Sequence, residues 1–127
     1  MKKNTFKKRI IATMMAMFMA VSMVCIKADA KTAGTGIRES ITAYTLYVRE
    51  NENTNLLGTM RMTIHSSYVQ NTFTAAKACG YTNVSVSNNG IDFETASRGN
   101  LGAKGVVAVV KYVDNPSKVY GACTVDY

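Results

Sequence analysis

Tryptophan is absent from this chain, proline occurs once, at Pro116, and histidine once, at His65. Each scarcity excludes something. A Ser-His-acid triad could use only His65 as its base. The serines beside it, Ser66 and Ser67, are sequence neighbours rather than positioned partners, so His65 reads as a solvated surface residue. Cysteine is limited to Cys25, Cys79 and Cys123, with no CxxC pair. With Cys25 set aside in the first thirty residues, Cys79, Cys123 and His65 leave a zinc site at least one soft ligand short. Acidic residues are also few, eight against 15 basic ones. Asp92 and Glu94 lie two apart, as paired carboxylates on one strand face would. Glycoside hydrolysis, however, also needs a cleft and an aromatic platform, and without tryptophan these two acids read as a solvated face. The loop around Glu50 and Glu52 lacks the D-x-N-x-D-G spacing of a calcium site. No catalytic residue, cofactor or metal site is expected.

The positive charge is unevenly placed. Six of the 15 basic residues and six of the eight methionines fall within residues 1–30, and only one acid, Asp29, does. Residues 31–127 then carry nine basic and seven acidic side chains. The overall basicity is thus no nucleic-acid footprint, because the excess is not spread over the folding part. Met1 to Arg9 forms a basic lead and Ile10 to Ile26 carries no charge. Lys27-Ala28-Asp29-Ala30 places Ala28 and Ala30 in the small-x-small spacing that a signal peptidase accepts. Together these are the three regions of a secretory signal peptide, with cleavage expected after Ala30 and a secreted, extracellular product. The uncharged run of 17 residues reaches only the lower limit for a spanning helix. Contact with the membrane is therefore expected only through this segment, if it stays uncut.

The remaining 97 residues suit one domain with a modest core. With Cys25 removed, Cys79 and Cys123 are the two cysteines left, and export would permit them to pair. A disulfide between them is expected to tie the last strand to the middle of the chain. Composition favours strands: 11 Val, 4 Ile, 12 Thr and 7 Tyr fall in this part.

Period-two alternation recurs along it. Met60, Met62 and Ile64 oppose Thr59, Arg61, Thr63 and His65. Tyr44, Leu46 and Val48 share one face of the stretch from Ile41 to Arg49. Thr82, Val84 and Val86 oppose Asn83, Ser85 and Ser87, and Asn88-Asn89-Gly90 supplies a turn before Ile91 resumes the alternation. Gly105 to Val113 is apolar on both faces and reads as a central strand. Val119, Gly121, Cys123 and Val125 share a face of the final strand. Residues 67–79 fit either a short helix or a strand, and the run Tyr68, Val69, Thr72, Phe73 and Thr74 favours strand. Lys31 to Ile37 reads as a flexible lead, and Asn51–Asn55 and Ala96–Lys104 as two polar loops. The expected fold is all-β: one domain over residues 38–127, a small antiparallel β-sandwich or barrel of six to seven strands.

Tyrosine is the one compositional excess that points to a surface. Its ring gives large, rigid contact area with a polar tip, although it also fills sheet faces where tryptophan is missing. The expectation is a non-enzymatic secreted β-domain that binds a protein, glycan or cell-surface partner. Its Ser/Thr/Asn-rich strands, glycine-rich connector and aromatic-ended last strand, from Tyr81 to Tyr127, resemble small secreted β-sandwich bacteriocins of the lactococcin type. That resemblance implies an antimicrobial alternative, while the missing tryptophan and the cysteine pair depart from the pattern. A small secreted hydrolase is the third alternative.

Overall fold

The computed structural model describes residues 31–50 and 55–127. The expected signal segment, with Ala28 and Ala30, lies outside the described residues, as do Asn51 to Thr54. Among the described residues nine strands form: β1 Thr32–Gly34, β2 Arg38–Ser40, β3 Tyr44–Arg49, β4 Leu56–Ile64, β5 Tyr68–Ala75, β6 Thr82–Ser87, β7 Glu94–Arg98, β8 Val106–Tyr112 and β9 Val119–Asp126. They build two antiparallel sheets, one ordered β3-β4-β5-β8 and the other β1-β9-β6-β7, with β2 also paired to β9. The architecture is all-β, as expected, but with nine strands where six to seven were anticipated.

The ambiguous segment is a strand. Val69, Asn71, Phe73 and Ala75 are buried while the residues between them are not, so period two wins over period 3.6. Pairing on both sides, Met60↔Phe73 to β4 and Phe73↔Val107 to β8, satisfies its backbone in the sheet. The alternations read at β3, β4, β6 and β9 reappear as buried faces. Met60, Met62, Val84, Val86, Val119 and Val125 lie fully inside with Leu57 and Phe73. Each such side chain contributes roughly 1.5–3 kcal/mol by leaving water.

Three expectations change. Lys31 to Ile37 is not a flexible lead throughout: Thr32–Gly34 pairs with β9, and Ala33 is buried opposite Val125. The chain keeps to the same edge of β9, where Thr35 N–H donates to Cys123 O at 2.9 Å and Cys123 N–H donates to Thr35 Oγ1 at 3.2 Å. Small and hydroxylated residues make this close run possible, which composition alone reads as looseness. Second, β8 is an edge strand rather than a central one. Its inward Val107 and Val109 are buried, whereas Val106 on the other face is 43% exposed. Third, β7 reaches Arg98, so the second loop starts later than Ala96, and its Leu101 is buried and bridged to Cys79.

The β6–β7 connection runs from Asn88 to Phe93, longer than a tight hairpin. Ser87 Oγ accepts from the N–H groups of Asn89 and Gly90, and Asn89 Oδ1 accepts from those of Ile91 and Asp92. Gly90 takes φ +77°, the left-handed conformation for which glycine has no steric cost.

Among the described residues three polar side chains are fully buried, Asn71, Thr82 and Ser87, and one of them links the sheets. Asn71, on β5, is fully buried, and its Nδ2 donates to Ser85 O at 2.9 Å and Ala122 O at 3.4 Å across the core. It thereby joins the first sheet to β6 and β9 of the second. Its Oδ1 has no hydrogen-bond partner.

Candidate functional site

The outward face of the β3-β4-β5-β8 sheet gathers the features from which a contact surface can be built. Strand register fixes its rows. Tyr47, Thr59, Thr74 and Val106 lie side by side, followed by Thr45, Arg61, Thr72 and Ala108. Thr63, Gln70 and Val110 form the third row, and Tyr68 pairs with Tyr112 in the fourth. Tyr68 and Thr74 are six residues apart on β5, so the face runs about 20 Å along the strands. These threonines, tyrosines and valines are the residue types that suit a pleated surface, so one composition both forms the sheet and furnishes its face.

An aromatic platform occupies one end. The His65 and Tyr68 rings stack with centroids 4.2 Å apart and planes inclined by 19°. Tyr112 lies 6.0 Å from Tyr68, tilted by 58°. The Tyr112 side chain is 79% exposed, and at the opposite end Tyr47 is 60% exposed. The platform is held by backbone. His65 N–H donates to Tyr68 O at 2.8 Å, closing the turn between β4 and β5. Asn115 N–H and Val113 N–H then bind Ser66 O and Ser67 O from the β8–β9 connection. Such local fixing lets rings meet a partner with little ordering cost.

In the middle of the face, exposed Arg61 donates from Nη1 to Thr45 Oγ1 at 2.8 Å. The Arg49 guanidinium carbon lies 5.9 Å from the Tyr47 ring centroid, a cation–π approach on the same face.

The other candidate residues do not converge. The His65 ring nitrogen Nε2 is 3.0 Å from Thr63 Oγ1, and Ser66 and Ser67 belong to its turn. Asp92 lies in the β6–β7 loop, where its carbonyl accepts from Lys111 Nζ, and Glu94 opens β7, so the two are not a same-face pair on one strand. Glu50 is ion-paired with Lys77. Among the described residues, no group of three or more His, Cys, Asp or Glu side chains comes together as a metal site would require.

The expected disulfide is not formed: Cys79 and Cys123 are both buried free thiols. Register explains this. Gly80 N–H donates to Asp126 O, which places Cys79 beyond the end of β9. Cys123 is three residues further back, roughly 10 Å along an extended strand, and a disulfide spans less than about 7 Å between Cα atoms. Cys79 Sγ instead lies 3.1 Å from Lys77 O. Burial pushes the Cys79 thiol above its ordinary value and raises that of Cys123 to about 12.

The seven tyrosines divide by strand parity. Tyr47, Tyr68 and Tyr112 share the candidate face, Tyr44 and Tyr127 pack against the core, Tyr120 Oη donates to Glu39 Oε2 at 2.6 Å on the opposite sheet, and Tyr81, just before β6, is exposed. The alternation marked Thr59, Arg61 and Thr63 as outward. That Thr72, Gln70, Tyr68 and Tyr112 extend the same face required the order of the strands, which no local pattern carries. No family model, curated protein or solved structure matches the chain.

Proposed function

We propose that this protein is a small exported module that acts by contact, binding an extended polymer across the outer face of the β3-β4-β5-β8 sheet, and that it carries out no reaction of its own. The observation that carries this reading is the assembly, on one sheet face, of three tyrosines, a stacked histidine, an exposed arginine and a field of threonines. Ring faces offer apolar area to sugar C–H groups, and hydroxyl, amide and guanidinium groups supply hydrogen bonds around them. Export is supported by the three-part pattern of residues 1–30. Cleavage after Ala30 would spare the reciprocal backbone bonds of Lys31 and Tyr127, at 3.1 and 2.8 Å, that begin the sheet.

Affinity electrophoresis through gels containing soluble polysaccharides tests the reading. The unaltered protein should be retarded, and the combined variant Tyr47→Ala, Tyr68→Ala, Tyr112→Ala should lose at least tenfold in affinity while keeping its unfolding midpoint. Retardation that survives the triple variant would move the contact surface elsewhere. Clearing zones on bacterial lawns would favour the antimicrobial alternative.

A further inference from the structure

Among the strands, acidic residues are confined to one sheet. None of β3, β4, β5 and β8 contains an acidic residue, while they hold Arg49, Arg61 and Lys111. The opposite sheet carries Glu39, Glu94 and Asp126 on its strands, together with Arg38 and Arg98. Of the first sheet's three cations, Arg49 and Arg61 stand on the outward positions described above; Lys111 instead reaches Asp92 O at the sandwich edge. We infer that the ligand of this face is an acidic polysaccharide, a glycan with carboxylate groups along its length, and that Arg61 is the residue that reads the carboxylate. This deepens the contact reading above and rests on it.

The chemistry follows from geometry. A guanidinium presents five N–H donors in a planar fork that matches a carboxylate in bidentate fashion. Arg61 spends Nη1 on the neutral Thr45 hydroxyl, which aims the group without cancelling its charge. The arginine sits in the second row, between the aromatic platform at one end and Tyr47 at the other, so a chain stacked on the rings passes over it. A carboxylate there meets no repelling acid on the four strands. Two outward arginines are too few for the polybasic attraction that holds proteins on anionic lipid, which takes clusters of several lysines or arginines. Rings interleaved with one charge fit a sugar polymer better than a membrane.

The experiment compares polygalacturonate with its fully methyl-esterified form, the same backbone with its charge removed. Affinity electrophoresis of the full chain should show at least tenfold tighter binding to the acid form, weakening as salt rises. Arg61→Gln should lose about tenfold on the acid form only, and Arg61→Lys, which keeps charge but not the fork, should fall between. Equal affinity for acid and ester, unchanged in Arg61→Gln, would overturn the carboxylate inference and leave the contact reading standing. Failure to bind either polymer would overturn the carboxylate inference, while the contact reading is overturned only if no polysaccharide gel retards the protein. Sedimentation with vesicles of anionic lipid, in preference to the polymer, would replace the glycan by a membrane. Should Arg61→Gln lower the unfolding midpoint, the acid-against-ester comparison on the unaltered protein decides.

Discussion

Asn71 and Gly121 are complementary across the sandwich. A Cβ placed on Gly121 would lie 2.6 Å from Asn71 Nδ2 and 2.5 Å from Met62 Sδ. The one residue of the inward β9 face without a side chain is the one facing the carboxamide that links the sheets. Gly121→Ala therefore forces Asn71 or Met62 from its place and should cost about 1–3 kcal/mol, the usual range for overpacking. A lower urea midpoint with an unchanged slope would show it; stability equal to that of the unaltered protein would mean that the core yields freely there.

Asn71→Asp turns a donor into an acceptor facing the Ser85 and Ala122 carbonyls. Burial without a cation raises the carboxyl pKa of the folded state. The unfolded state then ionises first, so relative to the unaltered protein stability falls as pH rises above about 4. Near pH 3 the neutral acid can still donate, and the deficit should be small; at pH 7 it should reach roughly 3 kcal/mol or more. Denaturant titrations of both proteins across that range would reveal a pH-independent difference if water reaches the site.

Both cysteines should resist a thiol reagent at pH 8 in the native protein and react fully in guanidinium chloride, because their sulfurs are buried and protonated. For Cys123 the folded value is raised, so above the ordinary value of 9.0 the unfolded state sheds its proton first. Its contribution therefore declines from about pH 9 towards pH 12, by at most about 1.4 kcal/mol per pH unit. A mass 2 Da below that of the dithiol, with no reaction after unfolding, would show that the two sulfurs do join.

A chain beginning at Gly36 would lose β1 and the Thr35 clamp on Cys123. Three backbone bonds outside the regular ladder go with it, Lys31 N–Tyr127 O, Tyr127 N–Lys31 O and Thr35 N–Cys123 O. At about 1 kcal/mol each, these three alone account for roughly 3 kcal/mol, and the β1–β9 ladder and the burial of Ala33 are lost besides. The uncovered edge of β9 should also make the shortened chain self-associate, measurable by light scattering. An unaltered melting temperature in a monodisperse sample would restore residues 31–35 to a passive lead.

Much of the fold was legible as alternation. Met60, Met62, Val84, Val86, Val119 and Val125 were readable as inward residues because a half-buried strand repeats every two residues. Edges were not legible. Val106 to Val110 looks central because both its faces are apolar, yet nothing within a strand says how many neighbours it has. The cysteine pair failed for a related reason: alternation put Cys123 on the same face as Val119 and Val125, but its distance from Cys79 depends on which end of β9 meets Gly80. The candidate face needed both kinds of information, polarity from the strand and adjacency from the sheet. Only the first lies in any short window.

Thr32 pairs with Asp126, 94 positions later, and β9, last along the chain, lies between β6 on one side and β1 and β2 on the other. Synthesis runs from the amino terminus, so β1 and β2 have no edge to join until the carboxyl-terminal strand emerges. The β3-β4-β5 meander can pair as it is made, whereas the second sheet acquires its centre only once β9 is present. The arrival of β9 thus sets the earliest moment at which the two sheets can close on each other.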